Sequence, residues 1–100
     1  MTMIVPGDTD APEFHLEGDI DVTNARGIGD LLCYLASSHE SVVVKCTQVT
    51  FVESRGLAMM ARVQRFADEA GCCLTWRELP LHVLRALHVS GLDGYLRIEA

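Results

Sequence analysis

Apolar and polar residues alternate over Glu13-Phe14-His15-Leu16-Glu17, the pattern of a half-buried strand, and Gly18 then permits a turn into a polar loop at Asp19-Ile20-Asp21. From Asn24 the period changes. Ala25, Ile28, Leu32, Leu35 and Ala36 recur at helical spacing, with Asp21 or Thr23 available as N-cap and Ser37-Ser38 near the end. Gly27 and Gly29 weaken this helix by about 1 kcal/mol each relative to alanine. The run Val42-Val43-Val44, extended by Lys45 and Cys46, is β-branched and nearly unbroken, which predicts a central strand covered on both faces. A second helix is expected over Leu57 to Ala70, with Val63, Phe66, Ala67 and Ala70 as its core stripe and Arg62, Gln64, Arg65, Asp68 and Glu69 on its wet side. Gly71 is placed to end it.

Cys72 to Trp76 reads as the next strand, and Pro80 opens a third helix that carries Leu81, Leu84 and Leu87 and closes near Gly91. Tyr95 to Ile98 supplies a last short strand, and Met1 to Val5, stopped by Pro6-Gly7, a short edge strand. Two strands followed by helix-strand alternation predict a single α/β domain over residues 1–100, with a mixed sheet of four to five strands packed against about three helices. The turn Leu57-Ala58-Met59-Met60-Ala61 is apolar all round, so Met59 is expected at the surface as an adaptable contact.

Composition narrows the function classes. A chain of 100 residues has room for one modest core, and 49% hydrophobic against 22% charged residues is an ordinary globular balance. Eight Lys and Arg against fourteen Asp and Glu give a formal charge of -6, the wrong sign for neutralising phosphates, so direct nucleic-acid binding is not expected. No apolar run reaches the roughly 18 residues that would span a bilayer, and Met1 to Asp10 lacks the pattern of a signal peptide, which points to the cytoplasm. Cys33, Cys46, Cys72 and Cys73 lie in apolar segments and are expected as reduced, packed thiols. Cys72-Cys73 is not a Cys-x-x-Cys pair, and His15, His39, His82 and His88 lack metal-ligand spacing. No nucleophile-base pair or phosphate-cradling glycine loop is present in sequence, so neither enzyme nor cofactor is expected.

The segment Val49-Thr50-Phe51-Val52-Glu53-Ser54-Arg55-Gly56-Leu57 resembles the signature loop of STAS-domain anti-sigma-factor antagonists, which runs aromatic, aliphatic, Asp, Ser, Ser or Thr, Gly, Leu. Leu16-x-Gly18-x-Ile20-Asp21 resembles the family's first motif, and Gly71, Pro80 and Ser90-Gly91-Leu92 fall where the family has them. The resemblance spans roughly residues 13 to 98. It implies a partner switch: the unphosphorylated protein docks on an anti-sigma serine kinase of the histidine-kinase-like ATPase fold and frees a sigma factor, until phosphorylation of the loop serine ends the docking.

Carried onto this chain, the phosphoacceptor is Ser54, with Asp21, Thr23, Glu53, Arg55 and Gly56 around it and Met59 beside it as partner-facing residues. Two positions depart from the pattern: Glu53 stands for Asp, with a longer reach, and Arg55 replaces a small hydroxyl residue with a bulky cation. Arg55 is able to pair with a phosphate or a partner carboxylate, or to obstruct the usual kinase. The plain alternative for Ser54, and for Asp21, is capping a helix.

The same fold also implies a second class, an accessory subunit of a lipid-transport ABC transporter, and a third, a nucleotide-sensing module. Many family members continue into a further C-terminal helix, whereas this sequence stops at Ala100 after the last predicted strand. A sheet face left open by that helix is expected to be covered by a partner or by a second copy of the chain.

Overall fold

The computed structural model describes residues 3–6, as backbone, and 11–99. Its elements run β1 (Met3–Pro6), β2 (Pro12–Ile20), α1 (Ala25–Ser38), β3 (Ser41–Val52), α2 (Ser54–Glu69), β4 (Cys73–Arg77), α3 (Leu81–Val89) and β5 (Ile98–Glu99). They form one five-stranded sheet in the order β1-β2-β3-β4-β5, in which only β1 runs antiparallel to its neighbour. The fold is the mixed α/β sheet with three helices that the periodicity predicts, and the valine run lies on its middle strand.

This strand order decides where the helices go. Each parallel crossover steps to the next strand in the same direction, and crossovers are right-handed for steric reasons, so all three helices fall on one face. A single core results: Phe14, Leu16 and Ile20 of β2 and Val42, Val44 and Cys46 of β3 meet the buried faces of α1, α2 and α3. No helix covers the other face of the valine strand, yet Val43 is buried there too, at 9% exposure, by the side chains around it. It points to the helix-free side, in register between Glu13 and Thr75.

That helix-free side is polar. Lys45 lies 3.7 Å from Glu13 and 4.0 Å from Glu78, and Arg77 donates to Glu99 at 2.7 Å. A face laced with ion pairs is compatible with water, so it does not need the covering partner that an apolar face would.

Several elements differ from their sequence reading: the last strand, expected over Tyr95 to Ile98, is only Ile98–Glu99, with Tyr95 in the turn before it. Gly18 does not end β2. With φ +80° it takes up a register shift, and the strand continues to Ile20 alongside β3, which itself extends to Val52. In α2, Val63 and Ala67 are buried and Arg62, Arg65, Asp68 and Glu69 exposed as predicted, but Gln64 is buried while Phe66, and Ala70 just past the helix end, are exposed. Gln64 Oε1 accepts from Trp76 Nε1 at 2.9 Å and from the Arg97 amide at 3.0 Å, and its Nε2 donates to Asp68 at 3.1 Å. A buried amide with its partners supplied is tolerated in a core, and here it ties α2 to β4 and to the chain entering β5.

Candidate functional site

The loops after β2 and β3 meet at one end of the sheet, the carboxyl end of its parallel strands, where open α/β folds place their binding surfaces. Glu53 joins them. Its amide donates to the Ile20 carbonyl at 3.0 Å, and its carboxylate accepts from the Val22 amide at 3.0 Å. The longer reach of Glu over the family's Asp is thus used to clamp the neighbouring loop. That loop is held from within as well: the Asp21 carboxylate accepts from both the amide and the hydroxyl of Thr23. Asn24 Oδ1 accepts from the Asp21 amide at 2.9 Å, and Asn24 Nδ2 donates to the Asp19 carbonyl at 2.8 Å. These hydroxyl and amide donors, against a small opposing effect of desolvation, hold the Asp21 carboxyl below the usual carboxylate range.

Gly56 lets α2 come this close. A Cβ there would stand 2.6 Å from Val52 Cγ1, 2.9 Å from Ile20 Cγ2 and 3.1 Å from the Ile20 carbonyl oxygen. Without a side chain the helix start is pressed onto the ends of β2 and β3. Its first residue, Ser54, is exposed, with no hydrogen-bond partner for its hydroxyl among the described residues.

Capping is therefore not what Ser54 does. The extended residue that precedes α2 is Glu53 (φ -85°, ψ 178°), whose carbonyl accepts from the amides of Gly56 at 2.8 Å and Leu57 at 3.0 Å. Asp21 and Thr23 do not cap α1 either, since the residue at that boundary is Asn24 and their side chains are spent on the preceding loop. Met59 corrects the other way. It is 4% exposed and packed in the core beneath α1, and the exposed residue of its turn is Ala58. Close approach of α1 explains this, because a Cβ on Gly29 would lie 2.8 Å from Met59 Cγ.

Asp21, Thr23, Glu53, Ser54, Arg55 and Gly56 thus share one end of the molecule, with Met59 forming part of the floor beneath a groove. That groove, of about 410 Å³, runs between α1 and α2 and is lined by Val22, Ala25, Arg26, Asp30, Arg55 and Arg62 besides Ala58 and Met59. Sequence reading missed Asn24 and Arg26. The first had a signal, since Asn three residues after Asp in a polar loop is a common turn-former. Arg26 had none, because its neighbours across the groove come from a helix about 30 residues on.

The thiols divide by depth. Cys46 and Cys72 are buried, as expected, and burial pushes the Cys46 thiol up to about 12. Cys73 departs from that expectation, exposed on the helix-free side of β4, and Cys33 is half-buried. No helix among the described residues is long and apolar enough to cross a membrane.

Comparison with known proteins adds to this geometry. A family profile described as "Mlab, STAS domain" matches residues 5–98. No curated protein sequence gives a significant match. Among solved structures, the anti-sigma factor antagonist SpoIIAA in its unphosphorylated form superposes with a TM-score of 0.79 at 12% identity, over 100% of this chain and 89% of that one. The phosphorylated form of the Bacillus cell fate determinant SpoIIAA gives 0.74 at 11% identity, over 100% and 92%. An anti-sigma factor antagonist from Mycobacterium paratuberculosis gives 0.75 at 21% identity, over 98% and 83%. At these identities the likeness is one of fold.

Proposed function

We propose that this chain, which belongs to the STAS-domain family, is a cytoplasmic, non-catalytic partner switch that docks an anti-sigma serine kinase on the surface around Ser54 and so frees a sigma factor. The observation that carries this reading is the placement of Ser54. Its hydroxyl is exposed and unbonded on the first residue of α2, on a platform fixed by Glu53 and Gly56, so a kinase reaches it without unfolding anything. A phosphate there adds about -1.5 to -2 charges beside Glu53, at a helix start whose free amides favour an anion. The phosphorylated domain remains folded while a partner surface matched to the neutral loop is repelled. That SpoIIAA, of the same fold, exists in unphosphorylated and phosphorylated forms supports the assignment.

One observation favours a second reading: the matching profile is described by MlaB and not by an antagonist, which suits an accessory subunit of a lipid-transport ABC transporter. Intact-mass measurement after incubation with ATP and the kinase encoded beside the gene separates the two. The switch predicts a gain of one phosphate, lost in Ser54→Ala. Kinase binding without that gain would leave a constitutive antagonist, and no binding at all would leave the transporter subunit.

A further inference from the structure

Five of the eight cations sit within 4.0 Å of a carboxylate: Lys45, Arg62, Arg65, Arg77 and Arg97. Arg26, Arg55 and Arg85 have no such partner among the described residues. Two of these three line the same groove between α1 and α2. In a chain of net charge -6, free positive charge is thus gathered in one depression.

The placement works against the fold's own electrostatics. Arg26 is the second residue of α1 and Arg55 the second of α2, and neither first turn holds an acidic residue. Cations at the positive end of a helix are unfavourable, and two helix starts side by side repeat the cost. The nearby carboxylates of Asp21 and Glu53 are taken up by Thr23 and the Val22 amide, and neither lies within 4.0 Å of Arg26 or Arg55. Besides the arginines the groove holds the Asp30–Arg62 ion pair, closed on itself at 3.4 Å, and the rest of its lining is apolar, with Val22, 59% exposed, and Ala25, Ala58 and Met59. Its volume of about 410 Å³ is in the range that accepts a few side chains.

Deepening the docking reading and resting on it, we propose that this groove seats an acidic segment of the partner protein, with carboxylates on Arg26 and Arg55 and an apolar side chain between them. Arg55, which departs from the family pattern, then sets which partner is accepted. The guanidinium fork pairs with carboxylates in two-bond geometry and withdraws little hydration on contact. The free arginines also make association depend on salt, since exposed charge pairs are screened over about 10 Å at 0.1 M.

The test is a titration of the isotope-labelled full chain, followed by amide NMR, with a synthetic twelve-residue peptide of Glu and Leu and with its Lys-for-Glu counterpart. The Glu peptide is expected to shift Val22, Arg26, Arg55 and Ala58, and the Lys peptide to leave them unmoved. Arg26→Glu with Arg55→Glu should weaken the Glu peptide at least tenfold while raising the thermal midpoint, because each change relieves a helix end. Arg85→Glu, on α3, should change nothing. Equal response to both peptides, shifts centred elsewhere, or indifference to the double substitution would overturn the proposal. The neighbouring kinase separates it from the reading beneath it: a kinase that binds wild type and double variant alike sinks the groove and spares the switch. Failure to bind wild type, with the peptide still seated by Arg26 and Arg55, sinks the switch and spares the groove.

Discussion

Gly27 and Gly56 both lie inside helices, and intrinsic propensity charges each about 1 kcal/mol against alanine. Their surroundings separate them. A Cβ on Gly27 meets nothing within 4 Å, whereas one on Gly56 collides with Val52, Ile20 and a backbone oxygen. Gly27→Ala should therefore raise stability by about 0.4–1 kcal/mol. Gly56→Ala should lower it by about 1–2 kcal/mol, the overpacking cost exceeding the propensity gain. Urea unfolding midpoints of the two variants are the measurement, and changes of the same sign would contradict the geometry. The Gly56 variant bears on the site as well, since lifting α2 moves the platform under Ser54.

At the scale of elements, one buried side chain ties the far edge of the sheet to the core. β5 is only two residues long and pairs with β4 at Trp76 and Arg77, too little to be stable by its ladder alone. The exposed Arg77–Glu99 pair adds a tie at the surface, and Gln64 adds a buried one by accepting from Trp76 Nε1 and the Arg97 amide with the same oxygen. Gln64→Leu keeps the apolar bulk but strands the buried Trp76 indole N–H and frees the half-buried Arg97 amide, so we expect a loss of about 1–3 kcal/mol. Hydrogen exchange gives the sharper signature: the Arg97 amide should lose protection more than amides of β2 and β3. Gln64→Glu, which keeps the acceptor, should retain more of that protection. The helical period alone put Gln64 on the wet side because an amide is polar; its burial depends on the indole 12 residues later in the chain.

The whole molecule has a pH window set by opposite groups at its two ends. Glu78 is held below its usual 4.5 mainly by the Thr47 hydroxyl and then by Lys45. Asp21, by Thr23, and Asp93, by His88, are held below 3.8. In the acid range the unfolded chain binds more protons than the folded one, so stability is full above about pH 4.5 and declines as pH falls through the folded values. On the alkaline side burial raises Cys33, Cys46 and Cys72 above 9.0. There the unfolded chain loses protons first, so stability holds to about pH 9 and declines as pH climbs towards the folded value of about 12 for Cys46. Thermal midpoints between pH 2 and 11 should form a plateau with two shoulders. Cys46→Ala should flatten the alkaline one and leave the acid one in place.

Read by itself, the sequence determines the order of elements and the central position of the valine strand, because these rest on local periodicity and on glycine and proline punctuation. It places Asp21, Glu53, Ser54 and Gly56 together through family resemblance, and the clamp from Glu53 to Val22 gives that grouping a physical basis. Tertiary structure alone decides which face is covered. The strand order sends all three helices to one side, so Val43 turns toward a polar, ion-paired surface that its neighbours in sequence do not announce. It also decides that Met59 is floor and not contact, since its fate depends on how near α1 lies at Gly29. Arg26 and Arg55 come to share one groove for the same reason: propensity and periodicity act over a few residues, whereas burial and charge proximity arise between segments that meet only when the helices dock on the sheet.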